Sequence, residues 1–178
     1  YAPRALRLRA WCLLKSGRKA DAYAVFAQFD REQGNSAEGL ANLLDWSRAL
    51  MDAGDLNDAR LQLEALITRA AETDAGQEAR LWLAQVLIRE KKTEKAWNSL
   101  DVLANDKVVR ADRRAEAWLA LAELNAVSTN FEAALTATAR AIEVAPTRDL
   151  KRRGAITRGR LLVRLGKLEE GIAQWKSV

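Results

Sequence analysis

The chain has 178 residues, enough for one domain or a short stack of repeats, and with 49% apolar and 30% charged residues it is too apolar to be disordered. It carries a net charge of +5, one cysteine, no histidine and two prolines. These counts exclude an internal disulfide, Ser–His or Cys–His catalysis and histidine metal sites, and they leave long stretches free to be helical.

In chain order, the spacing of apolar residues predicts a first helix over 4–15, a glycine stop at Gly17, and a second helix over 19–31. The lone Cys12 lies in this first apolar pattern and reads as a small core residue. A polar connector, Glu32-Gln33-Gly34-Asn35-Ser36, precedes helices over 37–52 and 56–71, which meet at Gly54. After Thr73-Asp74-Ala75-Gly76 come helices over 76–90 and 93–104, with Lys91 at the turn. Helices over 112–127 and 131–144 meet at Thr129, and Pro146 stops the second of them. The last pair, 150–165 and 168–178, meets at Gly166. Glycine suits the left-handed residue past a helix end, and Asp55 or Glu169 suits the positive end of the helix that follows.

The pairs repeat. Ala22, Ala59, Ala96, Ala134 and Gly171 are spaced 37, 37, 38 and 37 residues apart, and each lies five residues after a turn position. Small residues at Ala10, Ser47, Ala84, Ala122 and Gly159 form a facing column on the first helices. Leu13, Leu50, Leu87 and Leu162 make an apolar column beside it, and Phe26, Leu63, Leu100 and Trp175 make one on the second helices. Asn125 and Thr138 interrupt these two columns in the fourth unit, which calls for either a small polar pocket or a paired hydrogen bond there. A helix pair cannot bury its stripe alone, whereas a stack of five shares one continuous core. The unit boundaries fall at about 1–36, 37–75, 76–111, 112–147 and 148–178, within a single repeat domain. The abrupt start at Tyr1 and end at Val178 read as a piece of a longer protein.

Trp118-x-x-Leu121-Ala122, followed by Ala134, Ala141 and Pro146, carries a resemblance to the tetratricopeptide repeat family. Leu43-x-x-Trp46-Ser47-x-x-Leu50 with Ala59-x-x-x-Leu63 repeats it, and the resemblance covers the whole chain. The period departs from the family's, being about 37 residues. Arg9 and Arg158 stand where Trp46, Leu83 and Leu121 stand in the other units. The resemblance implies an all-α, right-handed solenoid of about five helix-turn-helix repeats. It also implies a scaffold without enzymatic activity or cofactor, holding a peptide or partner protein within a bacterial multiprotein complex. The compartment stays open between cytoplasm and periplasm. No phosphate-binding glycine loop occurs, and no apolar run reaches the roughly 18 residues of a membrane helix.

In the family the first helices line a concave face. On this register that face takes Arg7 and Trp11 from the first unit, Arg48 and Met51 from the second, and Trp82, Gln85 and Arg89 from the third. Glu123 from the fourth unit and Arg160 and Arg164 from the fifth complete it. Trp11 and Trp82 read either as anchors for a bound peptide or as core between units. From Arg148 to Lys167 there are eight basic residues and one acid, Asp149. That excess is either a solvated face or a site for a partner with acidic groups, with a membrane surface a further reading. Nucleic acid is disfavoured as the ligand, because the basic run is one-ended and has no interleaved aromatics. The rival readings are a nucleic-acid-binding repeat protein using this basic end and a regulatory region of an enzyme domain lying outside the segment. Self-association through an uncovered apolar end is also expected.

Overall fold

The pattern folds as ten α-helices, with no strand among residues 3–176, the residues that the computed structural model describes. The first helices are α1 (Pro3–Lys15), α3 (Ala37–Ala53), α5 (Asp74–Arg89), α7 (Ala111–Val127) and α9 (Arg148–Arg164). The second helices are α2 (Lys19–Gln33), α4 (Leu56–Ala70), α6 (Thr93–Asn105), α8 (Phe131–Val144) and α10 (Leu168–Lys176). Every described boundary lies within two residues of the expected one, and the fold is the expected all-α arrangement of repeated helix pairs. The expected extension of the last helix to 178 lies outside the described residues.

Two compact units share the helices, Tyr1–Lys91 and Lys92–Val178. In the first, α1–α2 and α3–α4 are antiparallel hairpins and α5 packs on α4. In the second, α6 packs on α7, and α7–α8 and α9–α10 are hairpins. Within each unit successive first helices touch (α1 with α3, α3 with α5, α7 with α9), whereas successive second helices do not. The first-helix side of each unit is therefore its inner, concave side.

Turn chemistry explains why the hairpins share one geometry. Each of the five anticipated turn residues is left-handed: Gly17, Gly54 and Gly166 at φ 77°, 84° and 79°, Lys91 at 61° and Thr129 at 59°. In four of the turns the next N–H donates back across six residues at 2.9 Å: Arg18 to the Leu13 carbonyl, Asp55 to Leu50, Asn130 to Asn125 and Lys167 to Leu162. This closing bond satisfies a carbonyl that the helix end would leave unpaired. Ser36, Thr73 and Thr147 cap three of the first helices by accepting from Gly39, Gly76 and Leu150 N–H. Asp55 makes no such cap, and accepts instead from the Tyr23 hydroxyl at 3.2 Å. Burial, and then that hydrogen bond, push the Tyr23 hydroxyl up to about 12.

Packing follows the small-residue columns. Ala10, Ser47 and Ala122 are fully buried, as are Ala22, Ala59, Ala96 and Ala134. In the last hairpin both residues are glycine, and a Cβ on Gly171 would stand 2.9 Å from the Gly159 carbonyl. The interruption at Thr138 is resolved locally, its hydroxyl donating to the Leu135 carbonyl at 2.8 Å, while Asn125 is only half-buried.

Three expectations need correction. Cys12 is exposed, although Ala49, Val86, Leu124 and Leu161 at the same register are buried. Those four are covered by a preceding second helix, and α1 has none among the described residues. Trp175 is 39% exposed where its column-mates Phe26, Leu63 and Leu100 are fully buried, since no described helix follows α10. Gly76 and Ala75, assigned to a connector, lie inside α5, and Ala75 is half-buried against the core of the first unit.

Two outcomes follow for stability. A β-branched residue in the left-handed region is strained, so Thr129→Gly should stabilise the protein by about 1 kcal/mol in denaturant melts. Ala96→Leu should cost about 1–3 kcal/mol by overpacking the close small-residue contact at its fully buried site on α6, while Ala139→Leu on the exposed side of α8 changes little. Equal effects at the two alanines would overturn the assignment of the contact.

Candidate protein-binding face

The inner side of each unit presents four positions per first helix, spaced i, i+4, i+7 and i+11, which share one helix face. On α3 these are Ala41, Asp45, Arg48 and Asp52, and on α5 they are Glu78, Trp82, Gln85 and Arg89. On α7 they are Glu116, Ala120, Glu123 and Val127, and on α9 they are Arg153, Thr157, Arg160 and Arg164.

In the first unit, half-buried Arg7 reaches from α1 to α3, its Nε donating to Asp45 Oδ2 at 2.8 Å. Trp11 is half-buried, edge-on to Phe26 at 6.4 Å between ring centroids, and Phe26 stacks on Trp46 at 6.2 Å. Trp11 stands between two hollows. One, of about 360 Å³, is lined by Arg4, Arg7, Leu8 and Asp45. The other, of about 270 Å³, is lined by Leu14, Lys15, Lys19, Ala49, Asp52 and Ala53. Arg48 is exposed and makes no ion pair among the described residues. Met51 is only 7% exposed and its side chain belongs to the core cluster. What Met51 contributes to the surface is its carbonyl, which accepts from Arg89 Nη1 at 3.0 Å. Trp82 is half-buried and packs against that same cluster, while Gln85 and Arg89 are exposed beside it.

In the second unit the structure brings Glu123, Arg160 and Arg164 together. All three are exposed and line a cleft of about 320 Å³ between α7 and α9, whose remaining lining is Ala122, Ala126, Val127, Thr157 and Leu161. Val127 is 81% exposed there. Arg160 Nη2 donates weakly to Thr157 Oγ1 at 3.4 Å. Within the basic stretch 148–167, Arg152 is the one base ion-paired among the described residues, with Asp149 at 3.2 Å. At the start of α7, burial tends to raise Asp112, but the hydrogen bond from Arg110, the Arg113 N–H and both guanidinium charges hold it below its usual range.

Asp45, Val127 and Thr157 belong to this face and were absent from the sequence-based set. The repeat offset would have found them: Asp45 lies 37 residues before Trp82, Thr157 lies 75 after it, and Val127 lies 38 after Arg89. Among the described residues no cluster of three metal-ligating side chains occurs, and no helix is long and apolar enough to cross a membrane.

Comparison with known proteins places this geometry. No curated protein sequence matches the chain. Among solved structures, MamA 41-end from Desulfovibrio magneticus RS-1 superposes with a TM-score of 0.69 at 17% identity, covering 98% of this chain and 92% of that one. BtubC from P. vanneervenii gives 0.76 at 15% identity, covering 97% and 76%. The nearly identical TPR-like repeats of a putative kinesin light chain from Podosopora anserina give 0.72 at 15%, covering 98% and 93%. At such identities the likeness is one of fold. The model of the tetratricopeptide repeat-like domain matches residues 12–151, and the chain belongs to that family.

Proposed function

We propose that this chain is a non-catalytic interaction domain that holds a segment of a partner protein along the inner faces of its first helices, within a multiprotein complex. One observation carries the reading. In each unit the first helices present arginines that make no ion pair among the described residues, Arg48 in the first and Arg160 and Arg164 in the second, and in the first unit they also present half-buried Trp11 and Trp82. Aromatic anchors flanked by arginine are the residue types that dominate binding energy at protein interfaces. The excess of arginine supports a partner bearing acidic groups.

Affinity capture from cell extract with cross-link mapping tests this. Cross-links should fall on α1, α3, α5, α7 and α9. Trp82→Ala should cost about 2 kcal/mol of binding, and Arg48→Glu at an exposed position should weaken capture at least tenfold with the helical spectrum unchanged. Lys95→Glu on exposed α6 makes the same change in charge and should leave capture intact. Capture indifferent to Arg48 and Trp82 would overturn the reading.

A second contact, with another copy of the chain, is favoured by α10. Leu168, Ile172 and Trp175 share one of its faces, and all three are exposed. Sedimentation should show concentration-dependent association that Leu168→Glu/Ile172→Glu abolishes; a strictly monomeric wild type would exclude it.

A further inference from the structure

We infer that the α7–α9 cleft is a subsite for an extended acidic segment of a protein, with its carboxylates on the α9 wall and small apolar side chains on the floor. The inference rests on the proposal that partners dock on first helices, and it adds the chemistry and the orientation of the ligand.

The two walls differ in charge. Arg153, Arg160 and Arg164 fall on one face of α9, at spacings of seven and four residues, and none of them has an ion-pair partner among the described residues. Across the cleft, α7 presents Glu123, with Glu116 two turns earlier on the same helix face. Glu116 is already bound to Arg113 at 2.9 Å, whereas Glu123 stands free in the cleft and makes no ion pair with Arg160 among the described residues. The two guanidinium groups in the cleft, Arg160 and Arg164, attract carboxylates, and the Glu123 carboxylate repels them. A ligand with acids on one side only is therefore held in one orientation.

The spacing suits an extended chain. Arg160 and Arg164 are four residues apart, about 6 Å along the helix axis. Alternate side chains of an extended peptide are spaced about 6.6 Å apart and point to one side. Glutamates at alternate positions would each meet one arginine, and the intervening side chains would face Ala126, Val127 and Leu161. Val127 gives the floor a reason: a β-branched apolar side chain left 81% exposed between charged walls has no role in the core.

The basic residues of α9 are not equivalent, and this makes the inference testable. Lys151 lies nine residues before Arg160, which is two and a half turns, so it projects from the other side of the helix. A fluorescein-labelled decapeptide alternating glutamate and valine is the probe, measured by anisotropy in about 0.1 M salt, with a lysine–valine decapeptide and a single-stranded RNA decamer as comparators. The expected result is saturable binding of the acidic peptide alone. Arg160→Glu/Arg164→Glu should weaken it at least tenfold, and Val127→Asp should weaken it as well. Arg148→Glu/Lys151→Glu, with the same change in net charge, should alter it less than twofold. Equal losses from the two double variants, absence of saturable binding, or RNA binding as tightly with the same arginine dependence would each overturn the inference. Failure of the broader docking proposal would be recognised separately, as capture from extract that is indifferent to Arg48.

Discussion

Everything in this chain depends on how closely the two helices of a hairpin approach. Alanine, serine or glycine occupies both sides of that contact in each hairpin that lies within one unit, and the residues are buried wherever they occur. A large side chain there would push the helices apart and pull the neighbouring apolar columns out of register, because packed interiors have little slack. With the approach set, Leu13 closes with Phe26 over the core of the first hairpin and Leu50 with Leu63 over that of the second. The inner placement of the first helices then follows, since within each unit successive first helices touch one another and successive second helices do not. The candidate face thus derives from alanines that never meet solvent.

The core also tolerates polar groups, on stated terms. Asn42 and Ser47 are fully buried on α3, and each returns a hydrogen bond to backbone: Asn42 Nδ2 to the Phe26 carbonyl at 3.0 Å, Ser47 Oγ to the Leu43 carbonyl at 2.7 Å. Asn42 thereby ties α2 to α3 across the boundary between two hairpins. Its Oδ1 and the nearby Trp46 Nε1 have no hydrogen-bond partner among the described residues, and such groups typically cost about 1–3 kcal/mol each. Trp46 offsets part of that cost by stacking on Phe26.

Much of the fold was legible because each repeat states it again. A single small residue after a turn is ambiguous, but five in phase locate the turns, including Lys91 and Thr129 where glycine would be expected. Two mismatches lie where the repetition stops. Cys12 and Trp175 occupy columns that are buried in the middle of the stack and uncovered at its ends. Gly39 and Gly76, 37 residues apart, were not read as packing residues, yet a Cβ on either would strike the carbonyl of Gly34 or Ala70 in the preceding turn. On the candidate face, helical spacing located Glu123, Arg160 and Arg164 together. It could not reveal that Met51 turns into the core or that Asp45 pairs with Arg7, because one residue's rotation about a helix decides both.

The pattern of contacts between first helices has an evolutionary side. In the first unit α1 meets α3 and α3 meets α5, but α1 does not reach α5. Each hairpin therefore answers only to its immediate neighbours. A duplicated block of 37 residues could enter such an array without any distant contact having to be rewritten. It would bring its own turn, its own small-residue contact and its own four surface positions. The length of surface available to a partner can then change by whole blocks, while the chemistry of each block drifts independently through those four side chains.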